Sequence, residues 1–316
     1  MKVHGAAWRL VAEGLLRSDE RARDDLAQLI SLGGIAWPEV VYLADSQYVT
    51  PGLWKALDEK GLAPLLPEDA AQYLRAVYEM NLNRNAALKK QLAEIVDALA
   101  VSGVETGLIK GAAHLHADMH GDLGARMMTD LDLMVRESDV PVAQGVLATL
   151  GYGAIPDERP DPAMHHHLPP VFRQGEFAGV ELHTEPTNLE ARRLLDAEEY
   201  WRDSLTASQN GPRTPSPTHG ALLAIVHSEV ADRNLRKLIP SLRCLQDVSA
   251  KIGLHGNAID WDDIAERFRK EGQGSVFEDF LYILRTLTGQ APLPEATQRL
   301  RSRVRLYGCR QALRLP

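Results

Sequence analysis

Residues 129–135, with the sequence TDLDLMV, constrain the fold of this chain more than any other segment. Polar and apolar residues alternate over the first five positions, which is the pattern of a β-strand with one face against a core. The two-residue period of a strand places Asp130 and Asp132 on one face and the intervening leucines on the other. The segment therefore predicts a strand in a layered structure of sheet and helices, with two carboxylates about 7 Å apart on its polar face.

Short apolar runs on either side of this segment predict the other strands of a small sheet. The first run is 104–109, and another, 152–155, follows a predicted helix over 138–150 that Gly151 ends. Residues 168–173 and 177–183, separated by a turn at Gln174-Gly175, predict a hairpin. We expect this hairpin to bring Glu181 back beside Asp130 and Asp132.

Helical spacing of apolar residues dominates the rest of the chain. Before the sheet it predicts two helices in 6–33, short helices at 35–43 and 52–60, and a long helix from Pro67 to about residue 101. Three asparagines interrupt the apolar stripe of the long helix, and we expect most of them on its solvated side: Asn81, Asn83 and Asn85. We find no chemistry in this first third of the chain.

After the sheet the chain returns to helix from residue 188. A linker rich in Ser, Pro and Gly at 208–218 precedes four further predicted helices, at 219–231, 240–252, 260–270 and 275–287. The sequence thus predicts an α/β (α+β) protein in three parts. These are an N-terminal helical region at 1–101, a small mixed-sheet core at 102–187 and a C-terminal helical domain at 188–316.

The paired aspartates predict a metal site. Carboxylate oxygens are the ligands that Mg²⁺ and Mn²⁺ prefer, and Asp130 and Asp132 lie at a suitable spacing. Such a site calls for a third carboxylate, for which Glu181 is the best candidate. His183 follows Glu181 by two residues and shares its face of the strand, where it could orient a carboxylate, contact phosphate or pack in the wall of the site.

Taken together and in this order, these motifs resemble a known family, the uncharacterised nucleotidyltransferase-like family of bacteria within the polymerase-β-type nucleotidyltransferase superfamily. The resemblance extends over most of the chain. Its sharpest parts are Lys110-Gly111, Arg126, the strand with Asp130 and Asp132, and the strand with Glu181 and His183.

The resemblance implies metal-dependent transfer of a nucleoside monophosphate from an NTP, with ATP as the expected nucleotide, to an acceptor hydroxyl with release of pyrophosphate. It implies a catalytic and metal-binding role for Asp130, Asp132 and Glu181. Lys110 and Arg126 would meet phosphate oxygens, Gly111 would let the backbone approach them, and His183 would line the site. The acceptor remains open among small molecules, peptides or proteins, and nucleic acids.

One departure from the superfamily leaves alternatives open. The superfamily usually has Gly-Ser or Gly-Gly after its first strand, whereas this chain has Lys110-Gly111-Ala112 and so lacks a hydroxyl that could touch phosphate. A catalytically inactive module that binds a nucleotide or a partner on the same fold is one alternative. Phosphotransfer to a small metabolite with the same metals is another.

Composition narrows the partners. The formal net charge of −8 argues against broad, sequence-blind binding of nucleic acid, which makes nucleic acid the least favoured acceptor. Two cysteines, no apolar stretch near the roughly 20 residues of a membrane span and no leader pattern predict a cytoplasmic protein with reduced thiols and no membrane partner. We expect the histidines at 165–167 to be solvent-exposed. We expect the arginine-rich segment at 299–314 to form the solvated face of a helix, with a contact to phosphate or nucleic acid as the alternative.

Overall fold

The computed structural model describes residues 5–154, 168–208, 211–237, 239–290 and 292. Five helices precede the first strand: α1 Gly5–Leu16, α2 Glu20–Ser31, α3 Trp37–Ser46, α4 Thr50–Glu59 and α5 Glu68–Val101. The later helices are α6 Lys110–Ala117, α7 Val140–Thr149, α8 Ala197–Asp203, α9 Pro217–Val226, α10 Leu242–His255, α11 Trp261–Lys270 and α12 Gly274–Thr288. The strands are β1 Gly107–Leu108, β2 Asp130–Met134, β3 Gly153–Ala154, β4 Val171–Phe172, β5 Gly179–His183, β6 Leu205–Thr206 and β7 Arg213–Thr214.

The chain divides into two structural units. The helical unit comprises the described residues of Met1–Leu82, Gly124–Met127 and Asp232–Pro316, and the sheet unit comprises those of Asn83–Leu123 and Met128–Ala231. The predicted division at residues 102 and 188 stays a prediction.

The helical unit is organised around α1, whose buried face packs against α2, α3, α4, α10 and α12. Side-chain caps fix where several helices begin. Asp19 accepts a hydrogen bond from the backbone N–H of Ala22 at the start of α2, and Asp260 accepts one from Asp263 at the start of α11. Each such cap is worth about 1 kcal/mol because it satisfies a backbone donor that the helix itself cannot.

The sheet unit contains one mixed sheet with the strand order β3-β4-β5-β2-β1-β7-β6. Its centre is the parallel pair of β2 and β5, and β1 and β7 are also parallel, whereas the remaining neighbours are antiparallel. The predicted fold class, a small mixed-sheet core accompanied by helical regions, is confirmed. The predicted hairpin is confirmed as well, since β4 pairs antiparallel with β5.

The two faces of β2 differ as its alternation predicts. Leu131, Leu133 and Val135 belong to a hydrophobic core that side chains of α5, α6 and α7 complete. Burying each leucine side chain contributes roughly 2 kcal/mol, so the apolar face fixes the orientation of the strand. The opposite, polar face therefore has to carry Asp130 and Asp132.

Two expectations from the sequence are wrong. Asn83 is exposed, but Asn81 and Asn85 are buried, at 3% and 1% exposure, because their amide groups donate to backbone carbonyls of the segment that follows Asp122. The Ser/Pro/Gly-rich segment at 208–218 is more than a linker, since Arg213 and Thr214 form β7 within the sheet.

The histidines at 165–167, the arginine-rich segment at 299–314 and Cys309 lie outside the described residues. In the part of the chain that is described, no helix combines the length and the apolar character needed to cross a bilayer.

Candidate functional site

Lys110 and Gly111 begin α6, directly after β1 and at the point where the chain leaves the sheet. Lys110 has a φ of +48°, in the left-handed region that costs a non-glycine residue on the order of 1–3 kcal/mol. Lys110 therefore combines a backbone conformation that glycine adopts more easily with an ammonium group. Gly111 is buried in the first turn of the helix.

The ammonium of Lys110 reaches across to the polar face of β2. Lys110 Nζ donates to Asp132 Oδ1 at 2.8 Å, and the Asp132 side chain is only 1% exposed. His183 Nε2, on the neighbouring strand, lies 2.9 Å from the same oxygen. Asp132 is therefore a buried carboxylate held by one partner from α6 and another from β5.

Glu181 stands directly opposite Asp132 in the parallel register of β2 and β5. Its Oε2 lies 3.7 Å from His183 Nε2, and one ligand atom each from Asp132, Glu181 and His183 fall within 4.8 Å of one another. Two carboxylate oxygens and an imidazole nitrogen at this separation fit a divalent first-row cation. The donor set thus suits the metal that the sequence predicts.

Asp130 is not part of this group of three and lies two residues earlier on the same strand. Its charge nevertheless acts on the group, because the pKa of the Asp130 carboxyl is raised by burial and by the neighbouring charge of Asp132. Of the predicted site residues, the structure brings together Lys110, Asp132, Glu181 and His183, with Asp130 at their margin.

The electrostatics show an excess of negative charge around one ammonium. Burial acts to raise the pKa of Asp132, but the Lys110 ammonium and the hydrogen bond with His183 outweigh it and lower that pKa. Burial acts to lower the pKa of Lys110, but the carboxylates of Asp132, Asp130 and Glu181 together raise it. Asp132, Asp130 and Glu181 therefore all act on Lys110, and a bound cation would relieve the mutual repulsion of these carboxylates.

Arg84 is a basic residue near this site that the sequence did not single out. It lies on α5, where its guanidinium donates to the carbonyl of Phe177 at 3.4 Å. Burial lowers its pKa, and the charge of Asp130 partly offsets that effect, so the two side chains are close enough to interact. Helical periodicity gives no sign of this position, because the proximity depends on packing of α5 beside strands nearly 50 residues later.

Arg126 lies in the helical unit. Its guanidinium binds the carboxylate of Asp247 with two hydrogen bonds, Nε to Oδ1 at 2.8 Å and Nη2 to Oδ2 at 3.0 Å, and both side chains are about one-tenth exposed. Asn81 holds the same segment by donating to the carbonyls of Gly124 and Arg126. A contact between Arg126 and phosphate stays a prediction.

A second set of potential metal ligands in the sheet unit consists of Glu199, Asp203 and His219. His219 Nε2 lies 3.7 Å from Glu199 Oε1 and 3.9 Å from Asp203 Oδ2. Arg202 contacts the same two oxygens, at 3.5 Å and 2.9 Å. A guanidinium already neutralises these carboxylates, so an ion-pair network accounts for the set.

Comparison with known proteins identifies a family for this chain. No curated protein and no solved structure matches the chain. A family described as uncharacterised nucleotidyltransferase matches residues 33–289, a span that includes the whole sheet with its carboxylates and most of the described helices. The chain therefore belongs to the uncharacterised nucleotidyltransferase family.

Proposed function

We propose that this protein is a metal-dependent nucleotidyltransferase that moves a nucleoside monophosphate from an NTP to a hydroxyl group of an acceptor. The single observation that carries the proposal is the group of Asp132, Glu181 and His183 on the central parallel strands, in which Asp132 and His183 are buried and Glu181 lies opposite Asp132. Buried carboxylates are costly unless a cation or hydrogen bonds compensate for them, and an enzyme that handles triphosphates needs such a cation.

Asp132, Glu181 and Asp130 would hold Mg²⁺ or Mn²⁺. When bound, the metal would neutralise phosphate charge and lower the pKa of an acceptor hydroxyl that it contacts. The family supports an NTP as the substrate, with ATP expected.

The chain's own residues have distinct tasks in the transfer. The Lys110 ammonium and the Arg84 guanidinium would bind oxygens of the triphosphate, and Gly111 would allow the backbone to come close to it. Glu181 would accept the proton of the acceptor hydroxyl as its oxygen bonds to the α-phosphorus. The bond from that phosphorus to the bridging oxygen then breaks, and pyrophosphate leaves with the electron pair.

The acceptor is proposed to be a small molecule, a peptide or a protein. Sequence-blind binding to nucleic acid is disfavoured by the formal net charge of −8, because the phosphate backbone attracts basic surfaces.

A test of this proposal measures pyrophosphate release from each NTP, with Mg²⁺ or Mn²⁺, against panels of metabolites and peptides. We expect Asp132→Asn and Glu181→Gln to lose at least about a thousandfold in rate, since each removes a carboxylate that would hold the metal, and the metal would stabilise the negative charge of the transition state. Glu137→Gln is the matched control, because Glu137 is an exposed carboxylate in the turn after β2. Unchanged turnover in both Asp130→Asn and Asp132→Asn would refute the assignment of those residues.

A binding module is the second candidate, and one contact favours it. Lys110 already supplies Asp132 with an internal cation at 2.8 Å, so the site could hold a nucleotide without turning it over. Calorimetry with each NTP, in the presence and absence of Mg²⁺, separates the two functions when combined with the pyrophosphate assay. Metal-dependent binding without pyrophosphate release for any acceptor would favour the module.

A further inference from the structure

His183 occupies a position between the two carboxylates that face each other across the central strands. Its side chain is fully buried, and because it follows Glu181 by two residues in β5 it projects from the same face of the sheet. Nε2 is the atom that approaches both acids, at 2.9 Å from Asp132 Oδ1 and 3.7 Å from Glu181 Oε2.

These separations are those of neighbouring ligands around one ion. Adjacent ligands in an octahedral shell with bonds of about 2.1 Å are about 3.0 Å apart. The distance from His183 Nε2 to Asp132 Oδ1, 2.9 Å, is close to this value. The distance from the same nitrogen to Glu181 Oε2, 3.7 Å, would have to shorten by less than 1 Å. The same distance to Asp132 also fits an alternative role, in which Nε2 carries a proton and donates a hydrogen bond that orients Asp132. The two roles exclude each other, because a metal ligand needs the Nε2 lone pair and a donor needs a proton there.

We propose that His183 is a direct nitrogen ligand of the catalytic metal, and that the site consequently selects Mn²⁺ over Mg²⁺. The inference rests on the proposed function, since it concerns the cation of that site. Magnesium is a hard ion that favours oxygen ligands and retains water, whereas imidazole suits first-row transition metals. One nitrogen in an otherwise carboxylate site therefore raises the affinity for Mn²⁺ more than that for Mg²⁺.

Pulsed electron paramagnetic resonance of Mn²⁺ bound to the full-length, tag-free chain tests the ligand directly. We expect modulation from a coupled ¹⁴N nucleus that changes when the protein is labelled with ¹⁵N-histidine. The labelling separates a protein nitrogen from a nitrogen of a bound nucleotide. Histidine coupling should be absent in His183→Gln and retained in His219→Gln, which removes another buried histidine of the sheet unit. It should also persist when the run at 165–167 is replaced through His165→Asn, His166→Asn and His167→Asn.

Metal affinities provide a second readout. In His183→Gln we expect the dissociation constant for Mn²⁺ to rise at least about tenfold and that for Mg²⁺, measured by competition, to change less than about threefold. If His183 only orients Asp132, His183→Gln should raise the dissociation constants for Mn²⁺ and Mg²⁺ by similar factors. That result would overturn the proposal.

Failure of this inference is distinguishable from failure of the proposed function. Mn²⁺-dependent pyrophosphate release from a protein without histidine coupling would refute the nitrogen ligand and leave the enzyme intact. A chain that binds neither Mn²⁺ nor Mg²⁺, with or without NTP, would refute both. If His183→Gln does not fold, the labelled native chain still decides, because a spectrum unchanged by ¹⁵N-histidine overturns the proposal.

Discussion

Replacing Lys251 with methionine removes a positive charge from the interior of the helical unit. Lys251 lies on α10 and is 4% exposed. Burial lowers its pKa from 10.5 to about 8, the Asp247 carboxylate partly opposes this shift, and the Arg126 guanidinium adds to it. Protonated Lys251 therefore lowers the stability of the folded protein at neutral pH.

The size of the effect follows from the linkage between pKa and stability. A difference of about 2.5 pKa units between unfolded and folded protein corresponds to about 3 kcal/mol at 1.36 kcal/mol per unit. Below pH 8 both states hold the proton, so the folded protein bears the full cost. Between pH 8 and 10.5 the unfolded state binds more protons than the folded state, and stability rises with pH. From pH 7.5 to 9.5 the expected contribution of Lys251 is a gain of about 2 kcal/mol.

Urea unfolding followed by tryptophan fluorescence is a suitable assay, because Trp8, Trp37, Trp54 and Trp261 lie in the helical unit. We expect Lys251→Met to exceed the native protein in unfolding free energy by up to about 3 kcal/mol at pH 7, with the difference shrinking by about 2 kcal/mol by pH 9.5. Lys270→Met is the matched control, since the Lys270 side chain is 70% exposed. A difference that does not change with pH would refute the proposed cost of the buried charge.

Three further substitutions test contacts in the sheet unit. Asn85→Ala should destabilise the protein by about 1–2 kcal/mol, because Asn85 donates to the carbonyl of Leu123 at 2.7 Å; faster amide exchange around residue 123 would support this. Gly107→Ala should cost about 1–3 kcal/mol in unfolding free energy, because its new Cβ would stand 2.6 Å from the buried hydroxyl of Tyr200. Arg84→Met should raise KM for the NTP about tenfold with unfolding free energy changed by less than about 1 kcal/mol, and an unchanged KM would remove Arg84 from the phosphate site.

Local sequence patterns predicted the elements that depend on local physics. The period-two alternation of β2 correctly predicted the face from which its aspartates project. The apolar stripe of the 34-residue α5 predicted both ends of that helix to within about one residue. Both patterns arise from burying one face of an element, and any strand or helix must obey that requirement whatever it packs against.

Long-range contacts were harder to anticipate. In the sequence, Asn85 interrupts the apolar stripe of a helix. Its hydrogen-bond partner is the backbone carbonyl of Leu123, 38 residues away, and helical periodicity cannot predict such a contact. Asp247 likewise lies on α10, and the guanidinium that binds it belongs to Arg126, 121 residues earlier in the chain. The predicted hairpin indicated that Glu181 would return beside the aspartates, but not the register that sets it opposite Asp132, 49 positions earlier.

Several residues of the candidate site depart from the backbone and burial preferences of their residue types. Lys110 has a left-handed backbone that glycine would adopt more easily, and Asp132 and His183 are charged or polar side chains with essentially no exposure. Buried polar residues elsewhere, such as Asn81, are accounted for by the backbone carbonyls they bind, which stabilise the fold. At Asp132 the partners are instead a strained lysine and a histidine beside a further carboxylate, an arrangement that adds strain and charge repulsion to the fold. Because apolar packing would fill the same space at lower cost, retention of these groups is best explained by a ligand that they bind together.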